Sequence, residues 1–302
     1  TVNPNPSPAI TGGTGICQGT STTLTVPGTY ASYQWNTGAT SQNIQVTNAG
    51  NYAVTVTTAF GCTGTNSTVM VVNPLPTPII TGVTAVCQGT ATTFDAGAGY
   101  SAYQWSNGGV TQTINPGIAG TFTVTVTDAN GCINSDAINL TVTPLPVPAI
   151  TGTTGFCQGA NSNLDAGNGF ASYLWSNGSS TQVINVTTAG NYVVTVTDNN
   201  GCSANTSTAI TVYPNPSPAI TGVTGICQGG TTTLTVPGTY ASYQLNTGAT
   251  TQNIQVGTAG NYAVTVTTAF GCAGTNSTNT IINPLPNPVI TGVTAVCQGL
   301  AS

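Results

Sequence analysis

The sequence predicts an all-β protein, a tandem array of small β-sandwich modules with a 70-residue period. Three observations carry this prediction. Cysteines recur at 17, 87, 157, 227 and 297, and again at 62, 132, 202 and 272, both sets keeping one constant step. Fifteen of the eighteen prolines fall in Pro-x-Pro-x-Pro segments that keep the same step, beginning at Pro4, Pro74, Pro144, Pro214 and Pro284. Between these landmarks lie short runs of β-branched and aromatic residues with no useful 3.6-residue apolar period, and a fixed period of this length marks an array of like modules. The expected modules are 1–73, 74–143, 144–213 and 214–283, with 284–302 opening a fifth, so the chain reads as a piece of something longer.

In the first module the elements follow in order. After the proline segment come "PAITG", then "STTLTV" at 21–26, "SYQWN" at 32–36, "QNIQV" at 42–46, "NYAVTVT" at 51–57 and "STVMVVN" at 67–73. Gly, Asn and Pro signals such as Asn107-Gly108 and Asn130-Gly131 bound the runs. Within 51–57, Tyr52, Val54 and Val56 share one face while Ala53, Thr55 and Thr57 share the other, the alternation of a sheet with one buried face. Six or seven short strands in each repeat suit a small sandwich. A second period sits above the first: "AGNYAVTVTTAFGC" at 49–62 returns unchanged at 259–272, so segments of three modules have been copied.

Charge narrows the function. The chain has no Lys, Arg or His, and its five acidic residues are Asp95, Asp128, Asp136, Asp165 and Asp198. Acid–base and nucleophilic catalysis need helpers that are absent here, so no catalytic residue, cofactor or metal ligand is assigned and the chain is read as no enzyme. Without a cation it cannot neutralise phosphates, which argues against nucleic acid as a partner. No run reaches the roughly 18–20 apolar residues of a membrane span, so no membrane insertion is expected in this segment. Hydrophobic residues nevertheless make up 39% of the chain, enough for a folded core.

The order of landmarks suits an immunoglobulin-like arrangement. Trp35, Trp105 and Trp175 fall on the third strand as core residues, with Leu245 in the equivalent place. Leu fills a core but offers no stacking face, which favours a core role over a sugar platform. Tyr52, Phe122, Tyr192 and Tyr262 are also expected in the core, near the start of the long strand at a corner where a Tyr hydroxyl ties the connection, and Phe122 takes that place without the hydroxyl. The whole pattern, "CQG…YQWNTGAT…AGNYAVTV…GC…NPLP", resembles the immunoglobulin-like and PKD-like tandem repeats of giant surface adhesins in Bacteroidota, including gliding-motility adhesins exported by the type IX system. Leu245, Phe122 and Leu174 depart from it. The resemblance implies an extracellular, cell-surface stalk or filament segment giving rigid reach, whose partners are neighbouring repeats of the same chain. It leaves as alternatives a module that engages glycans or surfaces, a ligand at an unseen tip, and a subunit that associates laterally into fibres.

Nine cysteines with no histidine favour disulfides over a metal site. If the immunoglobulin-like order holds, Cys17 and Cys62 lie at opposite poles of one module, farther apart than the roughly 7 Å between Cα atoms that a disulfide allows. Head-to-tail stacking instead pairs Cys17 with Cys132, Cys87 with Cys202 and Cys157 with Cys272, leaving Cys62, Cys227 and Cys297. The rival pairing is Cys17 with Cys62.

Other features have ordinary readings. Asp128 and Asp198, in "TDANGC" and "TDNNGC", could touch calcium, yet one Asp per turn is the common chemistry of turns. Rows such as Thr123, Thr125 and Thr127 suit an ice-binding face but also any solvated strand. Sequons stand at Asn66, Asn139, Asn177, Asn185, Asn205 and Asn276. Sheet edges carry no Lys, so prolines, short strands or lateral pairing must protect them.

Overall fold

The computed structural model describes residues 2–292 and is all-β. It divides into two compact units, Thr1–Leu145 and Pro146–Ser302. The first unit holds β1 (Gly15–Cys17), β2 (Thr22–Thr25), β3 (Ser32–Trp35), β4 (Asn43–Val46), β5 (Gly50–Thr57), β6 (Thr63–Asn73), β7 (Ala85–Cys87), β8 (Phe94–Asp95), β9 (Ala102–Trp105), β10 (Thr113–Ile114), β11 (Gly120–Thr127) and β12 (Ile133–Thr143). The second repeats the scheme with β13 (Gly155–Cys157), β14 (Ser162–Asp165), β15 (Ser172–Trp175), β16 (Val183–Val186), β17 (Gly190–Thr197), β18 (Ser203–Tyr213), β19 (Gly225–Cys227), β20 (Thr232–Thr235), β21 (Ser242–Leu245), β22 (Asn253–Val256), β23 (Gly260–Thr267) and β24 (Ala273–Asn283).

Every module has the same two sheets. In the first, β1-β6-β5-β3 form one sheet and β2-β4 the other, with β1 parallel to β6 and the remaining pairs antiparallel. An isolated bridge between Thr11 and Thr25 ties the entering chain to the small sheet before it crosses to the large one at β1. This is an immunoglobulin-like sandwich whose first strand is split between the sheets. The expected strand at "PAITG" is reduced to that bridge. β1, β7, β13 and β19 are additional to the expected strands, and β6 begins at Thr63 rather than Ser67.

Gly12, Gly82, Gly152 and Gly222 make the crossing. Gly222 has φ +140°, and a Cβ built on it would lie 2.5 Å from the Thr233 carbonyl oxygen and 2.9 Å from Leu234 Cδ2. Only glycine takes both the backbone angle and the contact. Gly222→Ala is therefore expected to destabilise its module by at least about 2 kcal/mol, readable as an earlier urea transition, because strain and overpacking act together.

Side chains that face the other sheet make one core per module. In the first, Leu24, Val26, Trp35, Val54, Val56 and Met70 are all but inaccessible. Trp105 and Trp175 hold the same place in their modules, and each indole Nε1–H donates to a backbone carbonyl: Trp35 to Ser41 (2.9 Å), Trp105 to Thr111 (2.8 Å) and Trp175 to Thr181 (2.8 Å). Leu245 is also buried, but it is smaller, and the fourth core separates into two clusters around Tyr262 and Leu245. The corner tyrosines donate backward to backbone carbonyls, Tyr52 to Asn48, Tyr192 to Thr188 and Tyr262 to Thr258. Phe122 instead packs edge-on against Phe94, with ring centroids 5.8 Å apart. The pair β8–β10 is only two residues long, and Pro116 explains it: a ring nitrogen without a hydrogen ends the ladder where Val46 continues it in the first module.

Candidate junction site

The cysteines stand where strand ends and turns place them. Cys17 closes β1 and lies opposite Asn73, the last residue of β6. Gln18 N–H donates to the Asn73 carbonyl at 2.8 Å, and the Thr20 N–H and hydroxyl both donate to the Cys17 carbonyl, so "CQGT" is a fixed turn at that pole. Cys62 precedes the first residue of β6, at the other pole. Eleven residues of extended strand span about 35 Å, several times what a disulfide bridges.

The structure brings Cys17 to Cys132 instead, in a disulfide with Cα atoms 5.5 Å apart, and Cys157 to Cys272, with Cα atoms 5.4 Å apart. Each bond joins the strand end of one module to the turn before the last strand of the following one, within a single compact unit. Cys87 and Cys202 occupy equivalent strand-end and turn positions. Among the described residues Cys62 and Cys227 are free, and Cys297 lies outside them.

The turn that presents the second cysteine is built by one side chain. Asp128 Oδ1 accepts the N–H groups of Asn130 and Cys132, both at 2.8 Å, and Asp198 does the same for Asn200 and Cys202. In the first and fourth modules Thr58 and Thr268 replace the aspartate, and their hydroxyls accept the N–H of Cys62 (3.2 Å) and Cys272 (3.1 Å). Asp and Thr do the same positioning work here, which accounts for the aspartates as turn residues. No cluster of three or more metal-ligating side chains occurs among the described residues.

Between the third and fourth modules the bridge has an aromatic companion. Tyr213, which ends β18, stacks on Phe270 with centroids 3.9 Å apart and planes 7° from parallel. The Tyr213 ring lies over Gly155, two residues before its register partner Cys157, where a Cβ would sit 2.7 Å from its Cε2, so a bare glycine makes room for it. Phe270 keeps much of its surface exposed even so, as does its equivalent in the first module, Phe60.

The proline segments are held against the last strand of the module they enter. Asn66 Nδ2 donates to the Pro8 carbonyl, Asn134 Nδ2 to Pro76 and Asn276 Nδ2 to Pro218, each at 2.8 Å. Asp136 takes the place of Asn66 in the second module and accepts the Ile80 N–H at 2.8 Å. Gly64 and Gly274 pass so close to Pro6 and Pro216 that a Cβ would strike the proline carbonyl. Proline and short strands thus cover an edge that other proteins guard with lysine. These contacts also engage the amide nitrogens of the sequon residues Asn66 and Asn276, and Asn185 Nδ2 donates to Asn161 and Asn163.

The Asp95 carboxylate is electrostatically tuned. Gln112 Nε2 and the Gly97 N–H both donate to Asp95 Oδ1 at 2.8 Å and hold its carboxyl below the usual carboxylate range. A lowered value in the folded state means that the ionised form contributes stability above about pH 4 and that this contribution is lost as pH falls through the lowered value. The stability advantage of the native chain over Asp95→Asn is expected to be constant from neutral pH to about pH 5 and to shrink below about pH 4, read from urea midpoints.

No protein-family model matches the chain, and no curated protein matches it by sequence. Among solved structures it is similar to a calcium-stabilised adhesin with which an Antarctic bacterium binds ice (15% identity, covering 93% of this chain and 100% of that one, TM-score 0.36). It is also similar to an ICAM-5 ectodomain fragment (12% identity, 89% and 97% covered, TM-score 0.39) and to part of a 1.5-MDa bacterial ice-binding adhesin (16% identity, 70% and 100% covered, TM-score 0.31). The strand order above, not these likenesses, defines the fold.

Proposed function

We propose that the chain is a non-catalytic structural segment of an extracellular, repetitive surface adhesin, a stalk that holds a distant binding part away from its cell. The four modules are 1–73, 74–143, 144–213 and 214–283, their main partners are one another, and the Bacteroidota gliding-motility adhesins remain the kind of parent we infer. The observation that carries this reading is the pair of bonds Cys17–Cys132 and Cys157–Cys272, each of which joins one sandwich to the next where an ordinary linker already joins them. Two attachments remove the free swivel that a single peptide would leave, and polyproline segments are stiff in themselves. Small-angle scattering tests it. A four-module rod is expected to extend about 150 Å, taking roughly 35–40 Å per module. A radius of gyration near the roughly 19 Å of a 302-residue globule would end the proposal.

A second reading has its own observation. Shallow grooves of about 460 and 440 Å³ recur at equivalent places in the first and fourth modules, lined by Ser41, Asn43, Gln45 and Tyr52 in one and by Thr251, Asn253, Gln255 and Tyr262 in the other. Uncharged hydroxyl and amide groups beside an aromatic ring suit a glycan. Binding to a glycan array that is lost when the exposed groove residues are truncated, as Asn43→Ala with Asn253→Ala, would promote this reading over the first.

A further inference from the structure

The two bridges have a mechanical consequence that deepens the stalk reading and rests on it. A load applied to the ends of a chain travels along the shortest covalent route. Here each disulfide joins residues 115 positions apart, so the route runs from the N-terminal side to Cys17, across to Cys132, along the chain to Cys157, across to Cys272, and onward. We propose that the function of these bonds is to carry tension past the sandwiches, leaving residues 18–131 and 158–271 as closed loops that no pull on the chain can draw out. Any further cross-link can only shorten this route, so the inference does not depend on the state of the remaining cysteines.

The fold suits the task. Of the strands described, only β1, β12, β13 and β24 lie on the route, and each of the four adjoins a bridged cysteine. β12 starts directly after Cys132 and is paired along its length, with β11 over eight residues and with β7 over three. A pull on Cys132 therefore loads β12 along its axis, shearing its ladders together rather than opening them one at a time. If those ladders yield, the slack released is limited to residues already on the route. The turn hydrogen bonds of Asp128 and Thr268 hold Cys132 and Cys272 at the mouths of the loops, which places the covalent path at the poles where modules meet.

The magnitude makes this testable. Roughly a quarter of the 302 residues lie on the route, a taut length on the order of 250 Å, against about 1,000 Å for the same chain with its bridges opened. The experiment is single-molecule pulling of the whole chain through handles at its two ends, first oxidised and then in the presence of a thiol reductant. The oxidised chain is expected to stop lengthening at about 250 Å. The reduced chain is expected to reach about four times that length, in releases of about 240 Å of contour per module. A Cys157→Ala, Cys272→Ala double variant should fall between, gaining up to about 390 Å over the oxidised native chain, and the reductant arm gives the same information without any substitution. Module-sized releases in the oxidised native chain would overturn the proposal, as would equal lengths with and without reductant. Scattering is done at zero load, so the two readings fail separately. A chain that is long at rest yet unravels under load defeats only the bypass, whereas a compact chain defeats the stalk.

Discussion

Removing the Cys17–Cys132 bridge, as Cys17→Ala with Cys132→Ala, is expected to destabilise the first two modules by about 5 kcal/mol. The figure follows from chain entropy, because closing a loop of sequence separation 115 withdraws many conformations from the unfolded chain and the effect grows with the logarithm of loop length. A small sandwich has little to spare against such a loss. Alanine is chosen at Cys132 because that side chain is wholly buried and a serine hydroxyl there would add a polar desolvation cost of its own. Cys62→Ala is the control. It sits in an equivalent turn but is unbridged, and should move the transition by no more than about 1 kcal/mol. Chemical denaturation of the native and variant chains under non-reducing conditions reads the difference. A bridge variant that unfolds with the Cys62 control would show that the loops are not what stabilises the modules.

Trp105→Ala is expected to cost about 4 kcal/mol, within the range for truncating a fully buried tryptophan. Two losses combine. The indole leaves a cavity between the sheets, and the Thr111 carbonyl loses the Nε1–H donor that reaches it at 2.8 Å. The fourth module supplies a comparison within the same chain: Leu245 holds the equivalent site without such a donor, and its core is divided around it. Trp105→Leu should accordingly cost clearly less than Trp105→Ala, and Leu245→Ala about 2–3 kcal/mol. Urea unfolding followed by far-ultraviolet circular dichroism reads these losses, while the fluorescence of Trp35 and Trp175 reports separately on the unaltered first and third modules. Equal losses for Trp105→Ala and Trp105→Leu would mean that the volume of the ring is not what fills the core.

The fold was legible because its signals are periodic and local. Alternation at Tyr52, Val54 and Val56 announces a strand with one buried face. The third-strand tryptophans announce the centre of a sandwich, and Asn-Gly pairs announce the turns. What the sequence concealed depends on partners distant along the chain. β1 is three residues, Gly15–Cys17, too short to show an alternation, and it exists because β6 offers it a parallel edge. "PAITG" has the composition of a strand, yet its chain must change sheets at Gly12, so only Thr11 pairs. The clamp of Asn66, Asn134 and Asp136 on the proline segments has no local signal, because an asparagine in a strand looks like any solvated residue until the segment some 58 positions earlier is laid beside it. The stack of Tyr213 on Phe270 was hidden for the same reason, although both residues depart from their counterparts Thr143 and Asn200 in the preceding module.

The proline segments have an implication for how such a protein can change size. Pro8, Pro76 and Pro218 are each fastened to the last strand of the module they enter, some 58 positions downstream, and the residues just before the second and fourth segments, Asn73 and Tyr213, end the strand of the module behind. There is no slack between these anchorages into which extra residues could be fitted without peeling the segment from the edge it covers. Lengthening is then possible only by whole modules, and copying in blocks of three preserves each neighbour's matching ends, the Tyr213 ring with its Phe270 included.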